Sequence, residues 1–362
     1  MKTLLSACAA AIAMAASLGA PSARAATMVY ISNAESREVI AMALDGETGA
    51  LREVSRVATS GTAMPMAVSP DKRFLYVGLR SNPFSVSTFA IDPKTGGLAH
   101  VETAPLPDNM AYISTDRTGR YLFSASYGGN RIAVTPIDAS GVARGDSIQL
   151  IETRKNAHAI LADRANRHVF ATNLGGDIVL QFRLDPATGR LTPNTPPFVG
   201  TKAGAGPRHF VFHPSDRFVF LINELDGSIN TYRYDAAAGT LAQASSTTAM
   251  PATAPGAKPW TSDIHVTPDG RFLYAAERTT STLTAYRIDA ATGALTTIGS
   301  VPTEAQPRGF NIDPRGRFLV AVGQKSHSAT VYAIDQTSGA LRQLNQYPVG
   351  RDPNWVEIVD LP

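Results

Sequence analysis

Side chains that could bind an anion or transfer a proton stand at two fixed distances from an arginine–aromatic pair that this chain repeats. The six repeated arginines are Arg73, Arg120, Arg167, Arg217, Arg271 and Arg317. The residues nine positions before them are Met64, Ala111, His158, Arg208, Ser262 and Arg308. The residues seven positions after them are Arg80, Tyr127, Leu174, Glu224, Arg278 and Gln324. The repeat keeps its frame while these two columns change, so we interpret the columns as the functional positions.

Four residues of the two columns form the predicted catalytic set, namely His158, Arg208, Glu224 and Arg278. Each replaces a different residue at its column, and charged groups gathered around a cleft tend to mark a functional site. Five further residues are predicted to bind the substrate. They are His209, His265, Arg308, Gln324 and Lys325. The two histidines of that group are equally well explained as packed, hydrogen-bonded strand residues. The repeated arginines themselves are expected to serve the architecture, by covering turns or pairing with acids at strand ends.

Each repeat is predicted to fold as four short antiparallel strands. In the unit Asp263–Ile298, strands are expected at Ile264–Val266 and Phe272–Ala276, separated by a Pro-Asp-Gly turn. A third strand alternates apolar and polar residues over Ser281–Ile288, and Leu295–Ile298 supplies the fourth. Successive repeated arginines lie 47, 47, 50, 54 and 46 residues apart, a period typical of four-stranded propeller blades. No segment shows a sustained helical period, so the chain is predicted to be all-β.

The geometry of a propeller blade would bring the two columns together. The innermost strand of a blade runs along the central channel, and the second strand returns antiparallel to it. The start of the first strand and the end of the second strand therefore share one face of the ring. The columns are predicted to converge around one mouth of the channel.

Seven turns of the type Asp-x-x-Thr-Gly accompany only six arginine–aromatic pairs. The turns begin at Asp45, Asp92, Asp138, Asp185, Asp235, Asp289 and Asp335. The unit Val29–Val54 lacks a first strand, whereas Trp355–Val359 is a strand that no arginine–aromatic pair follows. We therefore predict a seven-bladed β-propeller of four-stranded antiparallel blades, closed by pairing the C-terminal strand into the first blade. An open β-solenoid is the alternative, although its usual periods are shorter.

The first 25 residues have the pattern of a secretory signal peptide. Lys2 precedes the mostly apolar, alanine-rich stretch Leu4–Leu18, and Ala23-Arg24-Ala25 is a small-x-small cleavage site. Cleavage after Ala25 would leave residues 26–362 as a single β-propeller domain that is periplasmic or secreted. The apolar stretch is too short and too rich in alanine for a convincing membrane span, so none is predicted.

Cysteine and charge content narrow the chemistry and the partners. The only cysteine, Cys8, lies in the predicted leader, so the mature chain would have neither a disulfide nor a thiol nucleophile. Without Lys2 and Arg24, 31 lysines and arginines face 30 acids, a net charge of +1. No nucleic-acid partner is expected at this charge. We expect a monomer whose partner is a small molecule.

Several common catalytic motifs do not occur in the sequence. It has no glycine-rich phosphate loop, no Gly-x-Ser-x-Gly elbow, no His-Glu-x-x-His and no cysteine pair. A calcium site would need several carboxylate or amide oxygens near the axis, and Glu224 is the only carboxylate in the two columns. We therefore predict a site without metal or other cofactor.

The second half of the chain resembles a known family. The segments that carry the resemblance are Gly206–Pro214, Asn223-Glu224, Asp263–His265, Ala276–Arg278, Gln306–Phe310, Gly323–Ser326 and Pro353–Trp355. They resemble the seven-bladed lactonase family of propeller-type 6-phosphogluconolactonases, which are similar to the carboxymuconate-lactonizing enzymes. The resemblance implies an active site of one histidine, two arginines and one glutamate on one face. These match His158, Arg208, Glu224 and Arg278.

The resemblance implies hydrolysis of a sugar lactone, either 6-phosphogluconolactone-like or an unphosphorylated aldonolactone. Glu224 or His158 would take a proton from water, while Arg208 and Arg278 would stabilise the oxyanion. The sequence leaves two alternatives open. The first is a non-catalytic exported propeller that binds a protein or an envelope ligand, because a fold does not determine a function. The second is a muconate-type lactonizing cycloisomerase.

Overall fold

The computed structural model describes residues 26–361, and the predicted signal peptide at residues 1–25 lies outside the described residues. The described chain forms 28 strands and a single turn of 3₁₀ helix at Leu174–Gly176. The first strands are β1 (Thr27–Asn33), β2 (Glu38–Leu44), β3 (Leu51–Ala58), β4 (Ala63–Val68), β5 (Phe74–Leu79), β6 (Ser85–Ile91), β7 (Leu98–Pro105), β8 (Met110–Thr115), β9 (Tyr121–Ser126), β10 (Arg131–Pro136) and β11 (Gln149–Glu152).

The remaining strands continue the same pattern. They are β12 (Ala157–Ala162), β13 (His168–Asn173), β14 (Ile178–Leu184), β15 (Leu191–Gly200), β16 (Pro207–Phe212), β17 (Phe218–Asn223), β18 (Ser228–Asp235), β19 (Thr240–Thr248), β20 (Thr261–Val266), β21 (Phe272–Glu277), β22 (Thr282–Ile288), β23 (Leu295–Pro302), β24 (Pro307–Ile312), β25 (Phe318–Gly323), β26 (Ser328–Ile334), β27 (Leu341–Pro348) and β28 (Pro353–Asp360).

The strands form seven four-stranded antiparallel sheets, one for each predicted blade. The second to seventh blades begin with β4, β8, β12, β16, β20 and β24. The first blade has the order β28-β1-β2-β3, so the C-terminal strand is its innermost strand. Thr27 pairs with Asp360, and Ser32 pairs with Trp355. The predicted seven-bladed propeller, closed by its own tail, is confirmed.

The repeated aspartate organises each turn between the third and fourth strands of a blade. Asp289 accepts hydrogen bonds through its Oδ1 from the backbone N–H of Ala291 (3.1 Å) and of Thr292 (2.8 Å). Gly293, at φ +74°, donates its N–H to the carbonyl of Asp289 at 2.8 Å. Glycine suits this position because the left-handed region is costly for residues with a Cβ.

The turn and the arginine–aromatic pair meet between neighbouring blades. A Cβ on Gly293 would lie only 2.7 Å from the ring of Phe218 in the preceding blade. Arg217 stacks over that ring at 5.1 Å and donates to the carbonyls of Ala290 (3.0 Å) and Ala291 (2.9 Å). Arg120, Arg167 and Arg271 likewise donate to turn carbonyls of the next blade. Arg73 and Arg317 instead pair with the carboxylates of Asp71 and Glu47, so all six have an architectural role.

One of the seven turns, which begins at Asp92, packs against a methionine instead of an aromatic residue. In the second blade, a Cβ on Gly96 would meet the side chain of Met28 within 2.6 Å, and Tyr30 donates its hydroxyl to the Gly96 carbonyl at 3.0 Å. Met28 takes the place that an aromatic residue of the pair occupies in the other blades. This explains why seven turns accompany only six pairs.

The hydrophobic core lies between the faces of neighbouring blades. Between the sixth and seventh blades, for example, Phe272 and Tyr274 pack with Phe310 and Leu319, all of them buried. Seven such clusters surround the channel. Burial of apolar side chains at about 25 cal/mol per Å² makes these interfaces the main stabilising feature of the ring.

The register of the inner strands defines two ends of the channel. In the fifth blade Pro207 pairs with Asn223 and Phe212 with Val219, so the start of β16 lies beside the end of β17. We call this side the arginine end, because Arg208 and Arg278 lie there. The other side carries the Asp-x-x-Thr-Gly turns, and we call it the turn end.

Candidate active site

A buried ion-pair cluster forms the centre of the arginine end. The Nε of Arg208 donates to Oε2 of Glu224 at 2.8 Å, and an Nη of Arg278 donates to the same oxygen at 2.8 Å. Arg208 is 1% exposed, and it also donates to the carbonyl of Ser262 in the next blade. Burial opposes the charge of Glu224, but the two guanidinium groups outweigh it and hold its pKa below the usual value.

Arg278 is held in place from three sides. Besides Glu224, it donates to the carbonyls of Trp260 (3.1 Å) and Thr261 (3.0 Å). Its guanidinium group lies 4.0 Å from the centre of the Trp260 ring, which is 38% exposed. Burial, followed by the charge of Arg208, lowers the pKa of Arg278 to about 10. The cation remains charged at neutral pH and is fixed in direction, as an oxyanion donor must be.

Two further arginines bring more positive charge to the same end. Burial, and then Arg208, lower the pKa of both Arg80 and Arg308. Arg80 donates its Nε to Asn109. Within residues 26–361, Arg308 makes no hydrogen bond or ion pair through its side chain. Four guanidinium groups thus lie within electrostatic range of one another, and Glu224 interacts with Arg208, Arg278 and Arg308.

His158 lies on β12, in the blade that precedes the blade of Arg208. Its ring makes edge contacts with Tyr127 at 5.9 Å and with His209 at 5.1 Å. It is 4% exposed, and its Nδ1 has no hydrogen-bond partner among the described residues. Burial, followed by the charge of Arg208, lowers its pKa well below the usual value, so the imidazole is neutral at pH 7.

A chain of hydrogen-bonded side chains links the inner strands of the fifth and sixth blades, one residue beyond Arg208 and Ser262. His209 Nδ1 lies 2.8 Å from Oδ1 of Asp263, and His265 Nε2 lies 3.3 Å from the other carboxylate oxygen. The Nε2 of His209 is buried without a partner among the described residues. Burial opposes ionisation of Asp263, but His265 and His209 hold its pKa well below the usual value. Asp263 is therefore a carboxylate that orients both rings.

The turn end contains a cavity of about 300 Å³. Its walls include Tyr112, His265, Trp355 and Glu357. Trp355 donates its Nε1 to Glu357 at 2.9 Å, and Tyr112 makes an edge contact with the Trp355 ring at 5.1 Å. Burial raises the pKa of Glu357 to about 7. This end of the channel is aromatic and carries carboxyl groups.

The structure brings most, but not all, of the predicted site residues together. Arg208, Glu224 and Arg278 are in direct contact, and His158, His209 and Arg308 interact electrostatically with Arg208. His265 lines the turn-end cavity, and His209 lines it as well. Gln324 donates to Asp352 at 2.6 Å, and Lys325 is exposed and makes no side-chain hydrogen bond or ion pair among residues 26–361.

The column eight residues before each repeated arginine contains one predicted residue, His209, and further candidates that the sequence prediction missed. Tyr112, His209 and Asp263 occupy it, and Trp355 stands at the corresponding place in β28. A β-bulge allows this, because β16 shifts register between Pro207 and Phe210, and β20 shifts at the equivalent place. A bulge sets two consecutive residues against one on the partner strand and redirects their side chains. The sequence signal for these residues was a polar side chain directly after a column position.

No group of three or more His, Cys, Asp or Glu side chains in residues 26–361 is arranged to hold a metal ion. The same residues contain no helix that is long and apolar enough to cross a bilayer.

The fold and the site together define a class of protein, a seven-bladed propeller with a cationic, titratable centre at one end of its channel. Comparisons with known proteins refine this class. The family model described as lactonase, 7-bladed beta-propeller, matches residues 26–358. A 6-phosphogluconolactonase of Pectobacterium carotovorum subsp. carotovorum is 42% identical over 334 residues, which cover 92% of this chain and 99% of that protein.

Two more similarities agree with this match. A 6-phosphogluconolactonase of Serratia proteamaculans is 42% identical over 332 residues, covering 92% of this chain and 98% of that protein. The structure of PpgL, a periplasmic gluconolactonase of Pseudomonas aeruginosa, matches with a TM-score of 0.86 and 27% identity. That match covers 93% of this chain and 100% of PpgL.

The chain belongs to the lactonase family of seven-bladed β-propellers. The predicted function, a hydrolase that opens lactones, is confirmed at this level. The non-catalytic propeller and the lactonizing cycloisomerase are not favoured.

Proposed function

We propose that this protein hydrolyses a sugar lactone at the arginine end of its channel, and that the site favours lactones carrying an additional anionic group. The observation that supports this most directly is the charge of the site. Four guanidinium groups, those of Arg80, Arg208, Arg278 and Arg308, lie within electrostatic range of one another. Glu224 bridges Arg208 and Arg278, whereas Arg308 has no side-chain hydrogen bond or ion pair among residues 26–361. Arg308 is half-buried, and a cation that is partly removed from water without a counterion of its own is costly, so a bound anion would stabilise it.

Arg208 and Arg278 are proposed to hold the carbonyl oxygen of the lactone as it becomes an oxyanion. Both are oriented by Glu224 and by backbone carbonyls, so they would need little rearrangement during the reaction. Fixed donors of this kind contribute about 3 to 4 kcal/mol each to lowering the barrier. Arg308 and Arg80 would bind a phosphate or carboxylate group of the substrate, because guanidinium groups match the geometry of these anions.

Glu224 is proposed to orient the arginines rather than act as the base. Its Oε2 accepts hydrogen bonds from two guanidinium groups, and its pKa is held below the usual value. A carboxylate stabilised in this way is a weak proton acceptor. The proton of the attacking water would then go to a histidine, and the neutral rings of His158 and His209 lie beside Arg208.

Names of similar proteins support both forms of the substrate. The Pectobacterium and Serratia relatives are named for a phosphorylated lactone, whereas PpgL is named for an unphosphorylated one. We also propose that the chain is exported to the periplasm and acts as a monomer. The signal pattern of residues 1–25 supports export, and PpgL is described as periplasmic.

The direct test is hydrolysis of a panel of phosphorylated and unphosphorylated aldonolactones by residues 26–362 at fixed pH, with spontaneous opening subtracted. We expect turnover of both kinds and a lower KM for the phosphorylated lactones. Glu224→Gln should lower kcat/KM at least tenfold, because the arginines lose their common anchor. The absence of turnover on every lactone would contradict the proposal. Cell fractionation and N-terminal sequencing of the expressed full chain would test export and cleavage before Ala26.

A further inference from the structure

Two histidine rings are in edge contact beside the buried Arg208, and each has a buried nitrogen without a partner among residues 26–361. The ring centroids of His158 and His209 are 5.1 Å apart, and the rings meet at 65°. The Nδ1 of His158 and the Nε2 of His209 are both buried without a partner among residues 26–361. Leaving a buried polar atom unpaired costs about 1 to 3 kcal/mol, so such atoms call for an explanation.

One water molecule would satisfy both nitrogens. Each of its hydrogen bonds would span about 2.8 to 3 Å. Water is also the second substrate of a hydrolase. The two unpaired nitrogens therefore have the chemistry of a site for the attacking water.

The two histidines differ in how their protons are fixed. His209 Nδ1 lies 2.8 Å from Asp263, whose carboxylate also accepts the backbone N–H of Ile264 (3.0 Å) and Phe310 (3.1 Å). Because Asp263 is ionised, Nδ1 of His209 must donate, and the lone pair of His209 must lie on Nε2. No such partner fixes the tautomer of His158 among the described residues.

We propose that His209 is the general base of lactone opening, that Asp263 positions it, and that His158 holds the attacking water against it. This inference rests on the proposed hydrolysis at the arginine end and deepens it by naming the base and the water site. The arrangement has the logic of an aspartate–histidine pair that activates a nucleophile, with water as the nucleophile.

The proposed step balances as follows. One O–H bond of the water breaks, its proton moves to Nε2 of His209, and the oxygen bonds to the lactone carbonyl carbon. The carbonyl oxygen becomes an oxyanion held by Arg208 and Arg278. When the intermediate collapses, the ring C–O bond breaks, and the leaving oxygen takes the proton from His209. The product is the open hydroxy acid, and no other reactant is consumed.

The surroundings of His209 predict its pH behaviour. Burial, followed by the charge of Arg208, lowers its pKa to about 4, while Asp263 opposes that shift. The charged and titratable groups around it, from every strand packed against it, are Arg208, Asp263, His158, Tyr112, Arg308, His265 and Glu357. The base is neutral above about pH 5, so kcat should be flat from there to pH 8 and should fall towards pH 4.

The test compares His209→Gly, Asp263→Asn and His158→Gln with the unaltered residues 26–362. We expect His209→Gly to lower kcat at least a hundredfold with KM within threefold, because general bases typically contribute 10² to 10⁴. Added imidazole should raise the kcat of the His209→Gly variant at least tenfold. Asp263→Asn should also lower kcat at least tenfold without raising KM. In this variant the fall of kcat on the acid side of the pH profile should occur at lower pH. His158→Gln should have the smallest effect.

Binding of the product, 6-phosphogluconate, by calorimetry shows whether each variant still has an intact arginine end. If His209→Gly fails to bind it, His209→Gln replaces it in the same assay. A variant at position 209 that binds product and keeps kcat within tenfold overturns the inference. So does a larger loss from His158→Gln, or a His209→Gly variant that imidazole does not rescue. No lactone turnover by the unaltered protein would instead contradict the proposed function.

Discussion

Two half-buried glutamates at opposite ends of the same channel are in opposite electrostatic states. At the arginine end Glu224 contacts Arg208 and Arg278, which outweigh burial and keep it ionised. At the turn end burial raises the pKa of Glu357 to about 7, with Trp355 as its hydrogen-bond donor. The repeat supplies the same strand geometry at both ends. The neighbours of each carboxyl group, and not the fold, determine whether an end can bind an anion.

Loss of Arg208 should produce the largest effect at either end. In Arg208→Ala, Glu224 keeps only Arg278 as a partner, and the oxyanion loses a fixed donor. We expect kcat/KM for a sugar lactone to fall on the order of a thousandfold. Because a buried pair is broken, we also expect the free energy of unfolding to fall by about 3 kcal/mol. Steady-state kinetics and denaturant unfolding measure the two losses separately.

Arg208→Lys is the matched variant for that experiment. Lysine keeps the positive charge but lacks the planar fork that reaches both Glu224 and the Ser262 carbonyl. We expect most of the kinetic loss to remain and part of the stability to return. A fall of less than tenfold in kcat/KM for Arg208→Ala would place the reaction away from the arginine end.

Removal of Arg308 should separate substrates by their charge. This guanidinium group has no side-chain partner in residues 26–361, and Arg208, Arg278 and Arg80 disfavour its charge. Arg308→Ala should raise KM for a phosphorylated aldonolactone about tenfold or more, since a charge-assisted hydrogen bond contributes about 1.5 to 3 kcal/mol. KM for the unphosphorylated lactone should change less than threefold, and stability should not fall.

Arg342→Ala is the control for that change of charge, because Arg342 is exposed on the outer strand β27. It should leave KM unaltered for both lactones. Equal increases in KM for both lactones in Arg308→Ala would show that Arg308 binds a group common to them.

The sequence predicted the ring and the arginine end because both follow from the repeat. Counting turns against arginine–aromatic pairs was enough to find the closure by β28, and two columns were enough to find Arg208, Glu224 and Arg278. The pairing of His209 with Asp263 depends on β-bulges in β16 and β20, which turn a residue outside the chosen columns into the channel. A strict alternation of strand side chains does not contain that information. The engagement of Gln324 with Asp352 likewise depends on the closing loop before β28.

At the turn end, Glu357 is expected to affect the stability of the protein rather than its activity. Its pKa is 4.5 when unperturbed and about 7 in the folded protein. The folded state therefore holds a proton that the unfolded state has released between these values, and stability falls as pH rises from about 4.5 to 7. The loss is at most about 3 kcal/mol. Glu357→Gln removes this contribution.

Unfolding by urea at pH 5 and at pH 8 would measure the effect of Glu357→Gln. The stability of the variant relative to the unaltered protein should be higher at pH 8 than at pH 5. Changes in Asp263 and His265 with pH are common to both proteins and cancel in this comparison to first order. The same difference at both pH values would mean that Glu357 is ionised in the folded state, as Glu224 is.

The smallest effect is expected from Arg217, which is the same residue type as Arg208 in the same blade. Arg217 is exposed at the turn end, stacks on Phe218 and donates to the carbonyls of Ala290 and Ala291. Arg217→Ala should lower the free energy of unfolding by about 1 kcal/mol or less, because exposed charged contacts contribute little. Its kcat/KM should match that of the unaltered protein. A kinetic loss that approached that of Arg208→Ala would mean that the contact between blades, and not the charge at the arginine end, controls the reaction.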